Sequence, residues 1–93
     1  MECESLEFTR HAIQKMFERD ISIAIVKQVV KNGEVIQSYP DDKPYPSFLM
    51  LCEINKRPIH IVLAKEDIDK KCIIVTAYEP SIELWSNGFR TRK

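Results

Sequence analysis

The apolar residues of this chain change their spacing once, at Gly33. Before it, Ala12, Ile13, Met16 and Phe17 recur at helical intervals, and so do Ile23, Val26, Val29 and Val30. After it, "EVIQSY" (34 to 39), "SFLMLCEI" (47 to 54), "RPIHIVLA" (57 to 64) and "CIIVTAYE" (72 to 79) alternate or run continuously, as strands do. No helical segment follows that could cross between parallel strands, so those four strands must pair antiparallel through short loops. The order predicts an α+β fold: a short N-terminal strand, a two-helix hairpin packed on one face of a four-stranded antiparallel sheet, and a C-terminal helical turn.

Local signals sharpen this reading. Thr9 and Ser22 stand where N-caps are needed, and "DIS" between the helices is long enough only for a tight hairpin. Gly33 is expected to end the second helix in a left-handed conformation. "PDDKPYP" holds three prolines and breaks the ladder, whereas "NK" at 55 and 56 is a two-residue hairpin turn. If Ile54 and Arg57 flank that turn, Cys52 lies opposite Ile59 and Leu51 opposite His60. One face then carries Phe48, Met50, Cys52, Ile54, Ile59, Ile61 and Leu63 beneath the helices, and His60 falls on the other with Leu49, Leu51 and Val62. In the last strand Ile73, Val75 and Ala77 are expected on the helix side, with Ile74, Thr76 and Tyr78 beside His60. Pro80 stops the ladder, Ser81 caps a helical turn, and Leu84 and Trp85 anchor the chain end on the sheet.

Ninety-three residues make one domain, 1–93, with 44% apolar and 30% charged residues supporting a folded core. No apolar run approaches the roughly 20 residues of a membrane span, and "MECESLEFTR" has no signal-peptide pattern, so a cytoplasmic protein with no membrane association is expected. Cys3, Cys52 and Cys72 show neither a zinc pattern nor a disulfide framework, and Cys52 and Cys72 read as small buried hydrophobes. The formal net charge of zero argues against a uniformly basic surface, although Arg10, Lys15, Arg19 and the tail "FRTRK" are locally basic.

Two glycines in separate places exclude a phosphate loop, and no hydrolase, metalloprotease or zinc-finger pattern occurs, so no cofactor or metal is expected. The residues able to do chemistry are His11, Arg19, Arg57, His60 and Tyr78, with Lys15 behind them. Histidine titrates near neutral pH, and a guanidinium presents a planar fork to phosphate oxygens. Each also has a plain structural role: a solvated His11, a His60 ring bonded to Glu53 or Tyr78, arginines in salt bridges, a packing Tyr78 and a frayed basic tail.

The segments "HAIQKMFERDIS", "NGEVIQSYPDDKPYPSFLML", "NKRPIHIVLA" and "VTAYEP" resemble a bacterial and archaeal domain of unknown function, over about residues 8 to 80. That family in turn is distantly similar to the BrnT and RelE-like toxins of type II toxin-antitoxin pairs. The resemblance implies a metal-independent endoribonuclease, with RNA or the ribosome as target and an antitoxin protein as partner. It implies catalytic roles for His60, Arg57, His11 and Tyr78, and phosphate binding by Arg19 and Lys15. Zero net charge and an acidic start depart from a typical toxin. The reading of a different class is a noncatalytic protein-binding module. The apolar second face also suggests a homodimer or another partner.

Overall fold

The computed structural model describes residues 1–93. β1 (Ser5–Phe8) leads into α1 (Arg10–Glu18) and α2 (Ile23–Asn32), and β2 (Glu34–Tyr39), β3 (Ser47–Ile54), β4 (Arg57–Glu66) and β5 (Lys71–Tyr78) follow. Both expected caps form: the Thr9 hydroxyl accepts from the Ala12 amide at 3.0 Å, and the Ser22 hydroxyl from the Ile25 amide at 3.1 Å. The turn at Asn55 and Lys56 has φ of 51° and 66°, the double positive pair of a tight hairpin. It sets the anticipated register, with Ile54 opposite Arg57, Cys52 opposite Ile59 and Leu51 opposite His60.

The sheet itself corrects the sequence reading. It has five strands in the order β1-β5-β4-β3-β2 and is mixed, because β1 lies parallel to β5 with Leu6 beside Cys72 and Phe8 beside Ile74. The missing crossover element is the helical hairpin together with the whole β2–β4 meander. A pairing that spans more than 60 residues leaves no trace in local spacing.

Three local expectations also change. Gly33 has φ −75° and ψ 168°, which is extended and not left-handed. Glycine is needed there for space: a Cβ would lie 2.5 Å from the Val29 oxygen and 2.9 Å from the Leu51 oxygen. In β5 the pairing skips Val75, since Val62 faces Thr76 while Leu63 faces Ile74. This bulge turns Cys72, Ile74 and Ala77 toward the helices in place of Ile73, Val75 and Ala77. Finally, Cys3 and Cys72 form a disulfide with Cα atoms 5.6 Å apart, against the expectation of unpaired thiols, and Cys52 alone is free.

The core lies between the helices and one sheet face. Ala12, Met16, Val26 and Val29 meet Met50, Ile59, Ile61, Leu63 and Ile74, all less than 4% exposed. Burying side chains of this kind stabilises by about 1.5 to 3 kcal/mol each, before conformational entropy is set against it. No helix is long and apolar enough to cross a membrane.

The opposite sheet face is closed by the segment after Pro80. Ser81 opens a turn in which the Leu84 and Trp85 amides bond to its carbonyl at 3.1 and 2.9 Å. Trp85 bridges to Arg92 in a small antiparallel closure. Trp85 is 7% exposed and is the anchor; Leu84, at 53%, is not. Leu49 and Leu51 are thereby buried within one chain, so the apolar face that suggested a second copy is largely covered in cis.

Candidate functional site

β4 carries His60 onto the face away from the helices, as alternation requires, and its register partner on β5 is Tyr78. The tail then seals the ring, which is fully buried. Trp85 packs edge-on to the imidazole with centroids 4.5 Å apart, and Tyr78 does so at 5.3 Å.

The hydrogen bonds fix the state of the ring. Nε2 lies 2.9 Å from the Phe89 carbonyl oxygen, which can only accept, so Nε2 carries the proton. Removal from water holds the His60 pKa below its ordinary 6.5, against a smaller opposing pull from Phe89, and the ring is neutral. Nδ1 is then an acceptor, and the Tyr78 hydroxyl donates to it at 3.2 Å. Burial is the main cause raising the Tyr78 pKa; Tyr39 adds to the rise, and Arg92 and Arg19 oppose it. The phenol therefore keeps its proton at neutral pH and has two cationic neighbours.

Arg19 reaches this region along an exposed edge. β1 pairs only with residues 71 to 74 of β5, so the strand beyond has free carbonyls. The Thr9 hydroxyl bonds to the Val75 oxygen at 3.2 Å, and Arg19 Nη1 donates to the Ala77 oxygen at 2.8 Å. The two ends of α1 thus cap the sheet edge, and the Arg19 guanidinium sits next to Tyr78 in sequence register.

The other residues singled out in the sequence do not converge here. Arg57 donates through Nε to Glu79 at 3.0 Å and through Nη1 to the Asp20 carbonyl at 3.1 Å, clamping the turn between the helices. Its remaining donor points at the Arg19 carbonyl, 3.4 Å away. His11 is exposed in the first turn of α1, on the helical side of the sheet and about 12 Å along the axis from Arg19. Lys15 pairs with Glu18 at 3.6 Å on the same helix. No group of three or more metal-binding side chains occurs.

Sequence reasoning missed Phe89 and Arg92, whose segment read as a frayed tail. Arg92 lies 5.7 Å from the centre of the Trp85 ring, in cation–π range. The available signal was the uncovered apolar face of Leu49, Leu51 and Val62, with Trp85 and Phe89 downstream to cover it.

The arrangement offers a phenol that can accept a proton from outside while passing its own inward to Nδ1; the Phe89 carbonyl partly offsets the burial that disfavours the resulting imidazolium. A family model described as "Domain of unknown function (DUF4258)" matches residues 8–79. No curated protein and no solved structure matches.

Proposed function

Since the chain belongs to the DUF4258 family, we propose that it is a metal-independent endoribonuclease similar to the BrnT and RelE-like toxins, held in check by an antitoxin protein. The observation that carries this reading is the directed chain from Tyr78 to His60 to Phe89, flanked by the charge of Arg19 and Arg92. Tyr78 takes the proton of a ribose 2′-hydroxyl as it yields its own to Nδ1 of His60. The freed 2′-oxygen forms a bond to the adjacent phosphorus, and the bond to the 5′-oxygen breaks. Arg19 and Arg92 balance the charge on the phosphorane, and the proton held by His60 returns through Tyr78 to the leaving oxygen. The products are a 2′,3′-cyclic phosphate and a 5′-hydroxyl. In this reading Arg57 and His11 stand outside the reacting groups.

The test is incubation of the purified chain with single-stranded RNA, with and without EDTA, followed by mapping of the ends. Cleavage that survives chelation, leaves those two ends and falls at least about 100-fold in Tyr78→Phe supports the reading. Intact RNA, with or without ribosomes, overturns it.

A specific observation favours a second reading, the noncatalytic binding module. His60 is fully buried and Arg57 is committed to Glu79 and two carbonyls, so both act as fasteners of the fold. In that reading induced expression is harmless, and Tyr78→Phe changes stability only.

A further inference from the structure

Beside the Tyr78 hydroxyl a groove of about 430 Å³ runs between β2 and the tail. Its walls include Tyr39, Leu49, Tyr78, Arg90, Thr91 and Arg92, and no aspartate or glutamate lines it. The molecule as a whole is electrically neutral, so this local absence of carboxylates matters more than net charge. Arg90 is paired with Glu34, which lies outside the groove. Arg92 enters none of the ion pairs of the molecule and rests over Trp85, with its charge uncommitted.

A free guanidinium, an available phenol ring and an apolar floor suit a ligand with an anionic end and a flat aromatic end. The volume holds a group of nucleotide size. The geometry points to this groove as the seat of one nucleotide of single-stranded RNA, its phosphate on Arg92 and its base against Tyr39 and Leu49. The choice of RNA over another anion rests on the nuclease reading above. Seated this way, the phosphate lies beside Tyr78, so the groove and the proton chain form one continuous site. Duplex RNA does not suit it, because paired bases cannot leave their stack to meet Tyr39.

Trp85 is the single tryptophan and forms one wall, so its fluorescence reports occupancy. The full chain is titrated with a 2′-O-methyl oligouridine, whose blocked 2′-oxygen prevents cleavage. A saturable change is expected, with affinity roughly tenfold or more weaker in Arg92→Ala and in Tyr39→Ala. The logarithmic salt slope falls by about 0.7 in Arg92→Ala and is kept in Arg92→Lys, which preserves the charge. Both side chains are at the surface or half-buried, and an unchanged thermal unfolding curve verifies that the variants fold. No saturable response, equal affinity in wild type and both variants, or equal binding of a duplex of the same length overturns the assignment. Binding as expected with no cleavage of unmodified RNA keeps the groove and removes the nuclease. Cleavage with binding indifferent to Arg92 does the reverse.

Discussion

His60 and Phe89 are joined across 29 residues by a hydrogen bond of 2.9 Å, so that an imidazole at the middle of the sheet is tied to the main chain of the tail. The bond sets the tautomer of the ring and fastens the tail that covers it. Replacing His60 with alanine removes both, and leaves the Phe89 carbonyl and the Tyr78 hydroxyl without partners. A loss of about 2 to 4 kcal/mol is expected by denaturant unfolding. Stability within about 0.5 kcal/mol of wild type would show that the tail is not held through this ring.

Protonation of His60 should loosen the fold. Its pKa is lower in the folded chain than the ordinary 6.5, so near and below 6.5 the unfolded chain binds more protons. The contribution is therefore present in full above 6.5 and falls away as pH drops toward the folded value. Wild type compared with His60→Gln at pH 8 and pH 5.5 isolates it from the carboxylates. The wild type should lose more stability over that interval, and parallel curves would contradict a buried, neutral His60.

Arg57→Ala should cost about 1 to 2 kcal/mol through the lost bonds to Glu79 and the Asp20 carbonyl, discounted for partial exposure of the pair. Lysine cannot reproduce a fork shared between a carboxylate and a carbonyl, so Arg57→Lys should recover little. In the nuclease reading, RNA cleavage measured well below the melting temperature stays close to wild type in both variants. A large fall in kcat with intact folding would return Arg57 to the reacting groups.

Reduction of the Cys3–Cys72 bond, which closes a loop of 69 residues, should lower stability by about 4 kcal/mol if the gain comes from restricting the unfolded chain. Cys3→Ser should show a similar deficit and should no longer respond to reductant. Equal denaturation midpoints with and without reductant would mean that β1 holds its place without the bond.

Gly33→Ala meets two backbone oxygens within 3 Å, neither of which is a flexible side-chain end. A destabilisation of about 1 to 3 kcal/mol is expected from thermal unfolding. A neutral effect would mean that α2 can shift relative to β3 at no cost.

What could be read in the sequence was whatever short-range physics decides. The caps at Thr9 and Ser22, the turn at Asn55 and Lys56 and the β3–β4 register each depend on residues a few positions apart. Alternation placed His60 on the correct face, and alternation at the C-terminal end of β5 placed Tyr78 beside it. The bulge at Val75 stayed hidden because Ile73, Ile74 and Val75 are equally apolar and suit either phase of the strand. Arg92 and Phe89 lie in a basic, glycine-containing stretch whose order comes from the sheet beneath it. The disulfide needed the parallel pairing of β1 with β5, since only that pairing brings Cys3 to Cys72.

That parallel pairing also constrains the route to the native state. β1 has no neighbour in the sheet except β5, the last strand in sequence, so it must wait until the meander is assembled before it can dock. Closing so distant a contact is entropically costly and slow compared with forming a helix or a hairpin. A growing chain would release its first strand early and keep it idle until the final one emerged, making the outer rim of the sheet the last part of the molecule to mature.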